Sequence, residues 1–194
     1  HVDAAHASAL SRAIETLEQG LEGVGQAGLA ITTASELRER AYGFLMGWRR
    51  SLVESVFGTE RFLPWRRGYD KDADRPPGAE NLADTQERAL PYFVEHILSR
   101  VLAGQTVEVS AHGNSLRAIL MYLTEQTLGR SLTREEILHL EVPLSTPIVI
   151  MFDDKGRHQE LWLADEPPRE FAPPALSGLA SLRTFGTGPA DVTT

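Results

Sequence analysis

Val109-Ser110-Ala111-His112-Gly113-Asn114-Ser115-Leu116-Arg117 is the stretch on which the fold turns. Just before it, Thr106 to Ala111 alternates Val107 and Val109 with polar residues, the period of a half-buried strand. Just after it, Leu116 to Leu128 carries helical spacing. A strand that ends in His-Gly-Asn and gives way to a helix sets free N–H groups and the positive end of a helix dipole at the carboxyl edge of a sheet. That is where α/β proteins gather their ligands. Gly113 admits close approach of a ligand to the backbone. Asn114 or Ser115 can cap the helix or donate to a ligand oxygen. A plain capped helix with a structural histidine fits the same residues.

Working outward, Ser8 is expected to cap a helix to about Glu22, with Leu10, Ala13, Ile14, Leu17 and Leu21 on one face. Leu29 to Thr33 reads as a short strand, Tyr42 to Gly47 as irregular chain and Arg49 to Phe57 as a helix. Arg66 to Gly78, rich in Asp and Pro, reads as a surface loop. Leu82 to Val101 is helical, kinked or restarted at Pro91. Thr133 and Glu136 form a capping box for a helix to Leu140. The apolar run Pro147 to Phe152 is a strand. A turn at Asp153 to Gly156 leads to another strand near Gln159 to Leu163. Beyond Asp165 the chain is rich in Pro, Gly, Ala and Thr without periodicity. The division expected is therefore a domain over 1–165 and an irregular tail over 166–194. Helices alternating with strands predict an α/β sandwich around a sheet.

The 194 residues suit one domain with its own core, and 42% hydrophobic with 24% charged residues is the composition of a globular protein. There is no cysteine, which excludes disulfides, thiolate metal sites and cysteine nucleophiles. A net charge of −8 excludes a general nucleic-acid binder. No apolar run reaches membrane-spanning length, and the first residues, HVDAAHASAL, have neither the basic start nor the apolar stretch of a signal peptide. The compartment expected is the cytoplasm, with no membrane partner. Homo-oligomerisation is left open.

Within this acidic chain the arginines cluster at 38 and 40, at 49 and 50, and at 61, 66 and 67. In Leu37-Arg38-Glu39-Arg40-Ala41-Tyr42-Gly43 a carboxylate sits between two arginines. On a surface that is an ion-pair cluster, and in a pocket it is a general acid or base tuned by its neighbours. In Pro64-Trp65-Arg66-Arg67-Gly68-Tyr69-Asp70, paired arginines beside an aromatic can fork onto a phosphate or carboxylate. An exposed pair in a loop is the plainer alternative.

As a set, and in order, these segments resemble the cofactor-dependent phosphoglycerate mutases of the histidine phosphatase superfamily. The resemblance runs from Ala5 to Trp162, through SALSRAIET, LRERAYG, PWRRGYD, AENLADTQERALPYF, SAHGNSLRAIL and EVPLSTPIVI. It implies a three-layer α/β/α sandwich and a role for each matching residue. Arg12 would bind the phosphoryl group. Glu39 would be general acid and base toward the substrate hydroxyl, and Tyr42 would contact substrate. Arg50 stands where the family usually has lysine. Arg66 and Arg67 would bind the substrate's acidic groups. His112 would hold and stabilise the transferring phosphoryl group, with Gly113 and Asn114 completing the cradle. The resemblance further implies 2,3-bisphosphoglycerate as phosphoryl donor, a phosphohistidine, small phosphorylated acids as ligands, a place in glycolysis and gluconeogenesis, and no metal.

The chain departs from the family pattern at three places. The opening central strand with its Arg-His-Gly motif, which carries the nucleophilic histidine, has no counterpart in these residues, and His112 is the only histidine followed by glycine. His6, just ahead of the first expected helix, is not expected to replace it. The loop after Tyr69 is short, and Ser145-Thr146 stands for the usual Thr-Gly before Pro147. The expectation is a mutase domain that is inactive as these 194 residues. The alternatives are a phosphatase of the same superfamily and a non-catalytic phosphate-binding relative.

Overall fold

The computed structural model describes residues 1–70, 74–140, 142–143, 146–153 and 158–163, the last stretch as a strand path only. Strand β1 (Ala4–Ser8) is the centre of a parallel sheet of order β2-β1-β3, with β2 at Ile31–Ala34 and β3 at Val107–Ser110. Sequence alone did not predict β1, because Ala-Ala-His-Ala-Ser has neither alternation nor β-branched residues. Tertiary packing makes it a strand: all five of its residues are buried.

Helix α1 (Ser11–Gly23) crosses one face of the sheet, where Leu17 and Leu21 pack on Ala5 and Ala7. The small side chains of β1 let the helix lie close to the sheet. The expected Ser8 cap is not formed: Leu10 is the N-cap and makes no side-chain cap bond. Ser8 is turned to the other face of the sheet, where it meets His112.

That other face is covered by α4 (Leu82–Tyr92), a π-helical stretch at Phe93–Leu98, α5 (Ser99–Leu102) and α6 (Gly113–Leu128). Ile119, Leu123, Phe93 and Ile97 pack there against Val107 and Val109. Pro91 neither stops nor restarts the helix; the π-helical stretch follows it directly, the kind of local rearrangement that absorbs a missing N–H. The sheet with helices on both faces is the α/β architecture expected. The capping box at Thr133 is present and starts α7 (Arg134–His139).

Strands β4 (Ile148–Phe152) and β5 (His158–Leu163) form a separate antiparallel pair. Ile150 packs against the clusters on both sides of α6. Among the described residues β3 pairs only with β1, and β4 only with β5. The turn expected at Asp153–Gly156 falls mostly outside the described residues, as do Ser145 and the tail beyond 163.

Helices α2 (Arg50–Phe57) and α3 (Thr59–Arg67) follow β2. Here the structure corrects the predicted loop: Arg66 and Arg67 end a helix, and the loop begins only at Gly68. Pro64 sits inside α3 at its sixth position, after enough residues to nucleate the turn.

Candidate active site

Three elements leave the carboxyl edge of the parallel sheet beside one another, and each delivers part of the site. After β1 comes Arg12, after β2 comes Glu39, and after β3 comes His112. His112 is buried, at 6% exposure, and is the N-cap of α6. Its Nδ1 lies 3.0 Å from Nη2 of Arg12 and its Nε2 lies 2.9 Å from the Ser8 hydroxyl. Burial and then the Arg12 charge push the imidazole's pKa below its ordinary value, against the opposing pull of Glu39.

Asn114 and Ser115 do not cap α6. Asn114 Nδ2 donates to Glu39 Oε1 at 3.1 Å and to the Tyr42 hydroxyl at 3.0 Å. Ser115 Oγ donates to the Arg38 carbonyl at 2.5 Å. The first turn of α6 thus fastens the Arg38–Tyr42 segment instead of closing on itself. Its free N–H groups stay available, and a Cβ added at Gly113 would meet no atom within 4 Å. An anion has room there.

Glu39 is not the centre of an ion-pair cluster. Its Oε1 also accepts the Arg40 backbone N–H at 2.8 Å. Arg38 turns instead to Glu80, at 2.9 Å, and Arg88 forks onto both Glu80 oxygens at 2.9 and 3.0 Å. The Ala41 N–H adds a fourth donor. Burial works against the Glu80 charge, but the Arg88 hydrogen bonds and the Ala41 N–H outweigh it and leave the carboxyl below its ordinary pKa. Glu80 is a brace for the Glu39 segment that sequence reasoning missed. It lies about forty residues away in sequence, and only the folded chain joins them.

Tyr42 is placed by Gly43, which adopts φ +57°. A Cβ there would come 2.1 Å from the Pro77 carbonyl oxygen, so no other residue fits. Arg50, Arg66 and Arg67 form a mutually repelling group. Burial first, then the neighbouring guanidiniums, lower the pKa of Arg66 and Arg67. Tyr42 interacts electrostatically with Arg66, which ties this group to the Glu39–Asn114 side of the site. Direct hydrogen bonds thus join Arg12 to His112 and Asn114 to Glu39 and Tyr42, while Arg50, Arg66 and Arg67 are linked to one another and to Tyr42 by charge. His6 is not among them: it sits within β1, buried, with Nδ1 2.8 Å from the Tyr92 hydroxyl under α4. Among the described residues no group of His, Asp and Glu could hold a metal ion, and no helix is long and apolar enough to cross a membrane.

A parallel sheet carries at its carboxyl edge a buried histidine, an arginine on that histidine and a hydrogen-bonded glutamate beside it, an arrangement able to receive an anion. The profile of the histidine phosphatase superfamily (branch 1) matches residues 1–162. A 2,3-bisphosphoglycerate-dependent phosphoglycerate mutase of Parvibaculum lavamentivorans is 44% identical over 154 residues, which span 79% of this chain and 69% of that one. A phosphoglycerate mutase of Schizosaccharomyces pombe is 39% identical over 163 residues, 84% of this chain and 73% of the other. The mutase of Rhizobium rhizogenes is covered over 65% of its length, so the chain spans about two thirds of such relatives. A mycobacterial glucosyl-3-phosphoglycerate phosphatase, solved with inorganic phosphate, shares the fold with a TM-score of 0.63 at 20% identity over 84% of this chain and 75% of that one. The chain belongs to the histidine phosphatase superfamily, branch 1, and within it to the phosphoglycerate mutase family.

Proposed function

We propose that the chain carries the substrate-handling part of a 2,3-bisphosphoglycerate-dependent phosphoglycerate mutase, which interconverts 2- and 3-phosphoglycerate through a phosphohistidine. One observation carries the proposal. Asn114 links Glu39 and Tyr42 to the turn that starts at His112, while Arg12 contacts His112 itself. A proton-exchanging carboxylate is thus held next to a cationic, N–H-rich edge, which is the arrangement needed to pass a phosphoryl group to and from a hydroxyl.

In this reading the P–N bond to a nucleophilic histidine breaks as the P–O bond to the substrate hydroxyl forms, and the hydroxyl proton passes to Glu39. Arg12 stabilises the equatorial phosphoryl oxygens, and His112 joins it once its Nε2–H turns from Ser8 to the phosphoryl group. Arg66 and Arg67 grip the carboxylate of the acid, with Tyr42, Arg50, Gly113 and Asn114 completing the surround. Bound 2,3-bisphosphoglycerate would supply phosphoryl groups, and the open N-terminal turn of α6 together with the Arg50–Arg66–Arg67 group suits so anionic a molecule. No metal is needed where guanidiniums supply the charge.

The nucleophile would come from an Arg-His-Gly segment, as the resemblance implies. No second His-Gly pair exists in these residues. Among the described residues β3 and β4 are each paired on one edge only, and Val107, Val109 and Ile150 pack against one cluster. The reading places a strand bearing Arg-His-Gly beside them. The 194-residue chain then binds phosphoglycerates without turning them over. A coupled mutase assay with added 2,3-bisphosphoglycerate, paired with calorimetric titration of 3-phosphoglycerate, tests this: binding without turnover is expected. Hydrolysis of unrelated phosphate esters would instead favour the phosphatase alternative. Failure to bind any phosphoglycerate would overturn the proposal. A non-catalytic phosphate-binding protein is separated from the mutase by whether a supplied Arg-His-Gly strand restores turnover.

A further inference from the structure

Arg117 is 5% exposed, and among the described residues none of its hydrogen-bond partners is a carboxylate. Buried charges are ordinarily paired, because a lone one forfeits most of its hydration. Its two hydrogen bonds among the described residues go instead to main-chain carbonyls at the ends of two helices. Nη2 donates to the Arg67 carbonyl at 3.1 Å, in the last residue of α3, and to the Ile137 carbonyl near the end of α7. Carbonyls in a last turn have few partners within their own helix (the Ile137 carbonyl also accepts the Leu140 N–H at 3.3 Å), and the helix dipole makes that end partly negative. Two such ends are the counter-charge of Arg117.

The neighbouring contacts follow the same plan. Arg40, 2% exposed, donates to the Trp65 carbonyl in the same last turn of α3. The Gly68 N–H donates to the Pro64 carbonyl at 2.7 Å. Arg67 in turn reaches the Leu138 carbonyl of α7 at 3.0 Å. The turn that presents Arg66 and Arg67 is therefore held by guanidiniums from β2's following segment and from α6.

We infer that Arg117 is a positioning residue for anion binding: by bridging the ends of α3 and α7 it sets where Arg66 and Arg67 stand relative to the His112 end of α6. The inference rests on the proposal that the Arg66–Arg67 pair grips the substrate's acidic groups. A guanidinium can reach two carbonyls from one fixed plane, whereas an ammonium is a single point of charge. Burial and the charges of Arg67 and Arg40 lower the Arg117 pKa to about 9, so the group also adds positive potential beneath the pair at neutral pH.

The test is Arg117→Met and Arg117→Lys in the 194-residue chain, with 3-phosphoglycerate affinity by calorimetry and amide hydrogen exchange across 63–68 and 137–140. Arg117→Met is expected to lose roughly tenfold in affinity, since displacement of a binding group by about an ångström has costs of this order or larger. Exchange should quicken in those two segments while β1 and β3 keep their protection. Arg117→Lys should recover part of both effects. Unchanged affinity or unchanged exchange in Arg117→Met overturns the inference while leaving the functional proposal standing. If the unsubstituted chain fails to bind 3-phosphoglycerate, both fall together.

Discussion

Nη2 of Arg12 lies 3.0 Å from Nδ1 of His112, and this contact decides which ring nitrogen carries the proton. A guanidinium can only donate. Nδ1 must therefore accept, so the imidazole is neutral and its proton is on Nε2, which donates to Ser8 Oγ at 2.9 Å. The histidine at the centre of the site is held in one tautomer by two residues that flank the start of α1.

Replacing Arg12 by Met should raise the His112 pKa, since the Arg12 charge is one of the causes that depress it. Titration of the His112 ring resonances by NMR checks this. A midpoint that stays where it is in the unsubstituted chain would show that the contact does not form in solution.

Gly43→Ala should destabilise the chain by roughly 1–3 kcal/mol, the usual cost of a side chain forced into a disfavoured backbone region, and by more if the clash cannot relax. The added Cβ would meet the Pro77 carbonyl oxygen at 2.1 Å. Urea unfolding measures the loss. Tyr42 should also shift, which near-ultraviolet dichroism reports.

Stability should fall as pH is lowered from neutrality. His6 and His112 both have folded pKa values below the ordinary 6.5, chiefly through burial. Between the folded and unfolded values the unfolded chain binds more protons, so stability present above pH 6.5 is lost as pH falls below it. Glu80, and Glu136 with its pKa lowered to about 2, extend the loss below the ordinary carboxyl value of 4.5. Glu108, raised by burial, acts in the opposite direction above that value. Urea midpoints at about pH 7 and about pH 5.5 should differ in favour of the higher pH, and His6→Asn should shrink the difference.

The site was more legible in the sequence than the sheet that carries it. Glu39, Asn114 and His112 lie in short segments with their own signatures, Arg12 and Tyr42 were added by the resemblance, and the structure joins them through direct hydrogen bonds or charge. The central strand was hidden because Ala5 and Ala7 are small to admit Leu17 and Leu21, a demand of packing that carries no period. Helix α3 was hidden by Pro64 and by the polar Arg-Arg-Gly that follows it. Glu80, Arg88 and Arg117 gave no local signal, since each works through partners far along the chain.

Glu39 and Arg66 should fail in opposite ways once a nucleophilic histidine is supplied. Glu39 Oε1 accepts the Arg40 N–H and Asn114 Nδ2, and a glutamine in its place could keep both bonds through its own carbonyl oxygen. Glu39→Gln therefore leaves the segment in place and removes only the ability to take and return the hydroxyl proton. Turnover should drop by about 10²–10⁴-fold, the usual worth of a general acid–base, with phosphoglycerate affinity near normal. Arg66 makes no hydrogen bond to a carboxylate among the described residues, and its charge is set against Arg50. Arg66→Ala should weaken binding by about 1.5–3 kcal/mol, the loss of one charge-assisted hydrogen bond, and affect the bound-state rate less. Steady-state kinetics with calorimetry separates the two. If Glu39→Gln weakens binding while sparing turnover, the carboxylate grips substrate and another group moves the proton.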